Sequence, residues 1–205
     1  MKIKDFIRED IWDSLTQKNL SVSSKSPYGR IPNFKGSGAA AKLLRTTNEW
    51  IESEIIFSSP DSAQRTVREY ALKDRKILIM ASPKLKKGYL LIDPIKTLNK
   101  EKMASSIKGA FKLGKSIQNI KAVDMVVEGS VAVDLNGNRL GKGGGYGDME
   151  ISYLFNMKAI DDKTPIVTTV HENQIIEKVP NEEHDQKINM IVTPKQIFRI
   201  NNYFK

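Results

Sequence analysis

Five short apolar runs, each bounded by a proline, recur along the chain: "SEIIFSSP", "KILIMASP", "GYLLIDP", "TPIVTTVH" and "KINMIVTP". Each is too short for a stable helix, rich in Ile, Val and Leu, and apolar without clean alternation, the pattern of a strand buried on both faces. Segments of helical character separate them. "SAQRTVREYALKD" follows the first run, "MASSIKGAFKLGKSI" follows the third, and "DMEISYLFNMK" precedes the fourth. Strands alternating with helices predict an α/β sheet covered by helices on both faces. No internal repeat and no linker-like tract divides the 205 residues, so residues 1–205 are read as one domain.

The flanking segments fit that scheme. Ile3, Phe6, Ile7, Ile11 and Leu15 recur at helical spacing, predicting an amphipathic first helix with Lys4 and Arg8 on its polar face. "SVSSKSPYGRIPNFKGSG" reads as a loop and "AAAKLLRTTNEW" as a resumed helix. "DMVVEGSVAVDLNGN" supplies strand residues leading into a turn at Asn136 and Gly137. The N-terminus alternates charged and apolar residues and lacks the apolar core of a signal peptide, and no run of about 18 apolar residues offers a membrane span. With no cysteine, disulfides and thiolate metal sites are excluded. A cytoplasmic, monomeric protein without membrane attachment is the expectation.

Directly after that turn comes "RLGKGGGYGDMEISYL". Glycine at this density adds nothing to a core and loses the most backbone freedom on ordering. Between a strand and a helix start, however, Gly141, Gly143, Gly144 and Gly145 expose backbone N–H groups and let an anion approach them. Arg139 and Lys142 add full positive charge. Asp148, where the helix is expected to begin, would oppose a phosphate unless a divalent cation stood between them, so the set points to magnesium-bound nucleotide, with Glu150 assisting from the next turn. Asp148 as a helix cap is the competing reading. The loop has neither the GK[ST] ending of a Walker loop nor an evident acidic residue about 20 positions on, as dinucleotide sites require.

"RLGKGGGYGD" resembles the glycine-rich signature of the 5-formyltetrahydrofolate cyclo-ligase family, also called methenyltetrahydrofolate synthetases. "VPNEEHDQKINMIVTP" resembles that family's second signature, and Lys4 and Arg8, four residues apart on one helical face, match the basic pair of its first helix. "RIPNFKG", "GSVAVD" and "GKGGGYGDME" are similar to the branch called methenyltetrahydrofolate synthase domain-containing proteins. The resemblance implies a three-layer α/β/α fold with a mostly parallel sheet, akin to the sugar-phosphate isomerase and CoA-transferase group. It implies an ATP- and Mg2+-dependent ligase that phosphorylates the formyl oxygen of 5-formyltetrahydrofolate, or a related reduced pterin, so that the neighbouring nitrogen closes the methenyl ring. On this pattern Arg139, Lys142 and Tyr146 carry catalysis. Lys4, Arg8 and the four loop glycines bind ATP, and Asp148 binds the metal.

Three departures stand beside the match. Gly147 occupies the place of a second tyrosine, Glu128 that of a proline, and "SSPDSAQRTV" lacks the glutamate used on the folate side. Gly147, the missing glutamate and the net charge of +9 motivate an alternative, a noncatalytic nucleotide- or RNA-binding module. Nucleic acid is not favoured, because the aromatics are not interleaved with basic residues as stacking platforms are. A sugar-phosphate isomerase is a distant third reading. His171 reads as structural, and His184, beside Asp185, as part of the site's rim. The two form no familiar zinc spacing.

Overall fold

The apolar runs become the interior of one sheet. The computed structural model describes residues 3–22 and 26–200. Residues 23–25 of the predicted serine-rich loop lie outside the described residues. The chain begins with helices α1 (Ile3–Gln17), α2 (Ser37–Leu44) and α3 (Asn48–Glu52), then enters β1 (Ile55–Ser58). Next come α4 (Arg65–Lys73), β2 (Ile77–Ala81), β3 (Tyr89–Ile92), α5 (Glu101–Ala104), α6 (Ile107–Leu113) and β4 (Lys115–Ile117). After β5 (Met125–Glu128), the short pair β6 (Ala132–Val133) and β7 (Arg139–Leu140) leads to α7 (Tyr146–Asn156). The chain then runs through β8 (Ile166–Thr169), β9 (Met190–Val192) and β10 (Ile197–Arg199).

The eight-stranded sheet has the order β10-β9-β8-β5-β1-β2-β3-β4, and β6-β7 form a separate ribbon. Strands β9, β8, β5, β1 and β2 are parallel. β3, β4 and β10 run antiparallel to their neighbours. The sheet is therefore mostly parallel, with antiparallel edges. In register, Phe57 stands beside Ile79 and Val126. These three share one face with Ile151 and Leu154 of α7. Ile56, Met125 and Val127 share the other with residues of α1 to α4, including Trp12, Leu44, Trp50 and Val67. Leu78, Met80 and Leu90 continue that second face under α5 and α6, through Ala104 and Ala110. The three layers are uneven: among the described residues, helices α1 to α6 cover one face and α7 covers the other.

Local departures from the sequence expectations have identifiable causes. "GYLLIDP" is a strand, but an antiparallel one. The helix predicted through "KLGKSI" stops at Gly114, whose N–H caps Ala110 O, and Lys115–Ile117 turn back to pair with β3. The helix over "AAAKLLRTTNEW" is broken in two by Thr47, whose hydroxyl accepts from Trp50 N and restarts the helix as α3. Helix α7 starts at Tyr146, two residues before Asp148, because Gly145 in the left-handed region (φ 66°) serves as its entry residue. The turn at Asn136 and Gly137 forms as predicted, held by buried Asp134, whose carboxylate accepts from the Asn136, Asn138 and Val179 N–H groups. No helix among the described residues is long and apolar enough to cross a membrane.

Candidate functional site

From β1 the chain moves to β2 on one side, and after β4 it returns to place β5 on the other side of β1. Loops leaving the carboxyl ends of β1 and β5 therefore diverge, which opens a crevice at the point where open α/β sheets bind ligands. A cavity of ≈ 900 Å³ lies there. The end of β1 contributes Ser59 and Asp61, the end of β5 contributes Glu128 and Gly129, and the glycine loop with the start of α7 closes over them.

The structure brings most of the sequence-predicted site to this cavity. Arg139, Gly141, Lys142, Gly144, Gly145, Tyr146 and Asp148 all line it. The loop turns through left-handed backbone at Gly143 (φ 102°) and Gly145 (φ 66°), conformations that other residues resist. The Tyr146 ring lies over Gly144, where a Cβ would stand 2.8 Å from ring carbons. Residues 142–145 are exposed. Among the described residues, the first backbone N–H after Leu140 to enter a hydrogen bond outside regular strand pairing is that of Met149, donating to Gly145 O at 3.0 Å. The intervening N–H groups are thus available to an acceptor-rich ligand, as helix entries are.

Arg139 is the centre of the site. Its side chain is 2% exposed, donating from Nη1 to Gly129 O at 3.1 Å and from Nη2 to Asp148 Oδ1 at 2.6 Å. Asp148 Oδ1 also accepts from Gln186 N at 3.1 Å. Asp148 sits in the first turn of α7 and makes no cap, so the cap alternative gives way to an ion pair. Gly147 now has a physical reason: a Cβ there would come within 2.9 Å of Nη2 and 3.0 Å of Nη1 of Arg139. Across the mouth, Lys142 Nζ pairs with Asp61 Oδ1 at 2.7 Å. Asp61 comes from "SSPDSAQRTV", the segment without the expected glutamate, so a carboxylate does reach the cavity from it.

Three predicted residues do not line the cavity. Arg8 reaches the loop from behind, donating from Nε to Gly141 O at 2.8 Å, with its guanidinium 3.7 Å from the place of a Cβ on Gly143. Gly143 itself turns toward Arg8. Lys4 pairs with Asp185 at 2.6 Å and Glu182 at 3.1 Å, within the second family-like segment. The same segment supplies Gln186 to Asp148, so all three segments that carried the resemblance meet around one loop. His184 is 72% exposed at that rim, and His171 caps a short turn by accepting from Asn173 N.

Sequence reasoning missed the inner wall. Glu128 and Glu150 both line the cavity yet are 2% and 3% exposed. They face each other closely enough to share a hydrogen bond. Burial, partly offset by Arg139, pushes the Glu128 carboxyl up to about 7. Burial and the neighbouring Glu128 also raise Glu150 well above the usual carboxylate range. Glu150 is therefore half of a buried pair and not an assistant to Asp148 from an exposed turn. Arg68, 1% exposed, holds the wall behind Asp61: it donates to the carbonyls of Ser59, Asp61 and Ser105. Burial lowers this guanidinium to about 10.

The sequence pattern defining the 5-formyltetrahydrofolate cyclo-ligase family matches residues 1–194. Over 202 residues the chain is 34% identical to a mouse (Mus musculus) methenyltetrahydrofolate synthase domain-containing protein, covering 95% of this chain and 54% of that protein. The human (Homo sapiens) counterpart is 33% identical, with 95% and 52% covered. The chain thus spans about half the length of these relatives. The 5-formyltetrahydrofolate cyclo-ligase of Escherichia coli K12 is 31% identical over 84 residues, 41% of this chain and 43% of that enzyme. In fold, the chain resembles the Aquifex aeolicus 5,10-methenyltetrahydrofolate synthetase, with a TM-score of 0.63, 21% identity, and 98% and 94% of the two chains covered.

Proposed function

The chain belongs to the 5-formyltetrahydrofolate cyclo-ligase family, and from that membership we propose that it is an ATP- and magnesium-dependent ligase converting 5-formyltetrahydrofolate, or a related reduced pterin, to the 5,10-methenyl form. One observation carries the reading. At the switch point of the sheet, a glycine loop with free N–H groups stands beside Arg139 and Lys142 over a cavity large enough for two ligands.

The residues present fit a magnesium nucleotide. The loop leaves room where a Cβ on Gly145 would meet nothing within 4 Å. Asp148 keeps Oδ2 without a hydrogen bond among the described residues, while Oδ1 is held by Arg139 and Gln186. One carboxylate completed by phosphate oxygens and water is the arrangement magnesium favours. Bound nucleotide would supply the phosphoryl group that turns the formyl oxygen into a good leaving group. This chain's own work is positioning and charge: loop N–H groups orient phosphate oxygens, Lys142 and Arg139 offset charge spreading onto them, and the cavity excludes water. Arg8 holds the loop from outside, and Lys4 holds the segment whose Gln186 reaches Asp148. The same reading has the chain acting as a cytoplasmic monomer.

The departures that motivated a noncatalytic module have counterparts compatible with a ligase, since Gly147 accommodates Arg139 and Asp61 brings a carboxylate from the expected segment. The deciding experiment incubates purified protein with 5-formyltetrahydrofolate and Mg-ATP and follows near-ultraviolet absorbance. We expect a rise that needs both ATP and magnesium and falls by about a hundredfold or more in Arg139→Ala, the scale of losing a group that stabilises transition-state charge. Folded protein that binds Mg-ATP but never changes the absorbance would leave the binding module as the better reading.

A further inference from the structure

Helices α5 and α6 present their side chains in the reverse of the usual sense for helices that only cover a sheet. Inward, against Leu78, Met80 and Leu90, they place Ala104 and Ala110. Gly109 is buried as well and has no room for a side chain, since a Cβ there would stand 1.8 Å from Met103 O. Outward they place Met103, Ile107 and Phe111, which are 40%, 40% and 44% exposed. Ile107 and Phe111 lie four positions apart and share one side of α6. The turn that feeds α5 adds exposed Ile95 and Leu98, while Pro94 and Thr97 beside them are buried. Tight packing explains the small residues inside. It gives no reason to display large apolar ones together on the outside, and such clusters mark interaction surfaces.

Lysine surrounds these side chains. Lys96, Lys100, Lys102, Lys108 and Lys112 are exposed, and none enters an ion pair among the described residues. Glu101, the one acid between positions 94 and 112, accepts from Asn99 N at 3.0 Å. On α6, Lys108 and Lys112 follow Ile107 and Phe111 directly, so an apolar and a cationic column run side by side. That pairing suits the boundary of a lipid bilayer, where apolar groups sink among the headgroups and lysine stems reach back to phosphate. Nucleic acid fits less well. The stretch has no arginine for bidentate phosphate contacts, and Phe111 is its one aromatic ring, too few for base stacking. We propose that the outer face of α5, α6 and the turn before them docks on an anionic phospholipid surface, with Met103, Ile107 and Phe111 entering the headgroup layer and the five lysines drawn to its negative charge. Such attachment is peripheral and reversible, needs no spanning helix, and is independent of the ligase reading. Ser106 and Ile107 also line the cavity, so the docking face borders the cavity rim.

The test is cosedimentation of the purified protein with two kinds of vesicle, phosphatidylcholine alone and an equal mixture of phosphatidylcholine and phosphatidylserine. Salt is held at about 150 mM, where exposed charges acting alone are largely screened. We expect affinity for the mixed vesicles to exceed that for phosphatidylcholine by about tenfold or more. Phe111→Ser should weaken it by about tenfold, the scale of withdrawing one large side chain from an apolar phase. Lys108→Gln combined with Lys112→Gln should weaken it by about tenfold or more. A control pair at exposed lysines beyond α7, Lys158→Gln with Lys163→Gln, should leave it unchanged. All five side chains are exposed, and cooperative melting checks that each variant folds. Should one variant fail to fold, the other and the wild-type preference carry the test. Equal affinity for the two vesicles, unchanged affinity in Phe111→Ser, or an equal loss in the control pair would overturn the docking face. RNA binding that is lost in the same variants, with no vesicle binding by wild type, would overturn it too and assign the face to nucleic acid.

Discussion

At the scale of single residues, Gly147 and Glu128 show how a departure from a family pattern acquires a physical meaning. Helix propensity alone says that Gly147→Ala should stabilise α7 by about 1 kcal/mol. Contact says otherwise, because the new Cβ would press on a guanidinium already held by Gly129 O and Asp148. Overpacking of this kind costs about 1–3 kcal/mol, so contact wins or cancels the gain. We expect Gly147→Ala to gain no thermal stability and to bind Mg-ATP about tenfold more weakly by calorimetry as Arg139 is pushed off Asp148. A higher melting temperature with unchanged affinity would show that Arg139 moves aside freely. Glu128 gives a pH signature. Its carboxyl, raised from 4.5 to about 7, faces Glu150, Arg139, Asp61 and Asp148. The folded state therefore holds a proton that the unfolded chain releases, and stability falls as pH rises from about 4.5 to 7. Glu128→Gln removes that loss, so its melting temperature should match wild type near pH 4.5 and exceed it at pH 8, by an amount corresponding to about 1–3 kcal/mol. An offset that stays constant across this range would mean that Glu128 titrates normally.

At the scale of elements, α4 matters to the cavity through one residue. Arg68 reaches from the helix to the carbonyls of Ser59, Asp61 and Ser105, tying the end of β1 to the turn between α5 and α6. Replacing it leaves several buried carbonyls without donors, so Arg68→Met should lose about 3 kcal/mol or more in denaturant unfolding. Lys142 should also lose its partner as Asp61 shifts. A loss under 1 kcal/mol would mean that water replaces the guanidinium. The elements themselves were unequally legible. The central strands could be read because burial on both faces imposes an apolar run whatever the neighbours are. Edge strands β4 and β10 could not, since Lys115, Ser116 and Arg199 remain exposed and carry no pattern. Helix α7 starts at Tyr146 behind left-handed Gly145, two residues before the Asp148 that the sequence pattern offers as its entry. In the site, the phosphate-facing end was legible because its glycines and basic residues are contiguous. The acidic inner wall was not, because Glu128 ends a strand and Glu150 lies in a helix, and only the sheet's crossover brings them together.

At the scale of the molecule, the net charge of +9 is spread over the chain, while the cavity mixes both signs. Such a distribution attracts polyanions weakly and everywhere. RNA held by several phosphate contacts should therefore be lost steeply between 50 and about 150 mM salt, as counterions are no longer released at a gain. Binding of Mg-ATP should persist over the same range, and filter binding beside calorimetry compares the two. RNA retained at the higher salt, with nucleotide binding lost, would reverse the order of the two functional readings. The ties around the loop also set when the site can exist at all. Lys4 meets Asp185 across 181 positions, Arg8 meets Gly141 across 133, and Lys142 meets Asp61 across 81. Contacts this distant in sequence close late in folding. Helix α1 packs Ile11, Trp12 and Leu15 with nearby Ile31, Phe34 and Leu44 as well as with distant Val131, Ala132 and Leu140, and Lys4 finds its partners only in residues 182–185. Ligand binding is thus a property that the protein acquires only when segments more than a hundred positions apart have met, so a refolding chain regains its central sheet before it regains its site.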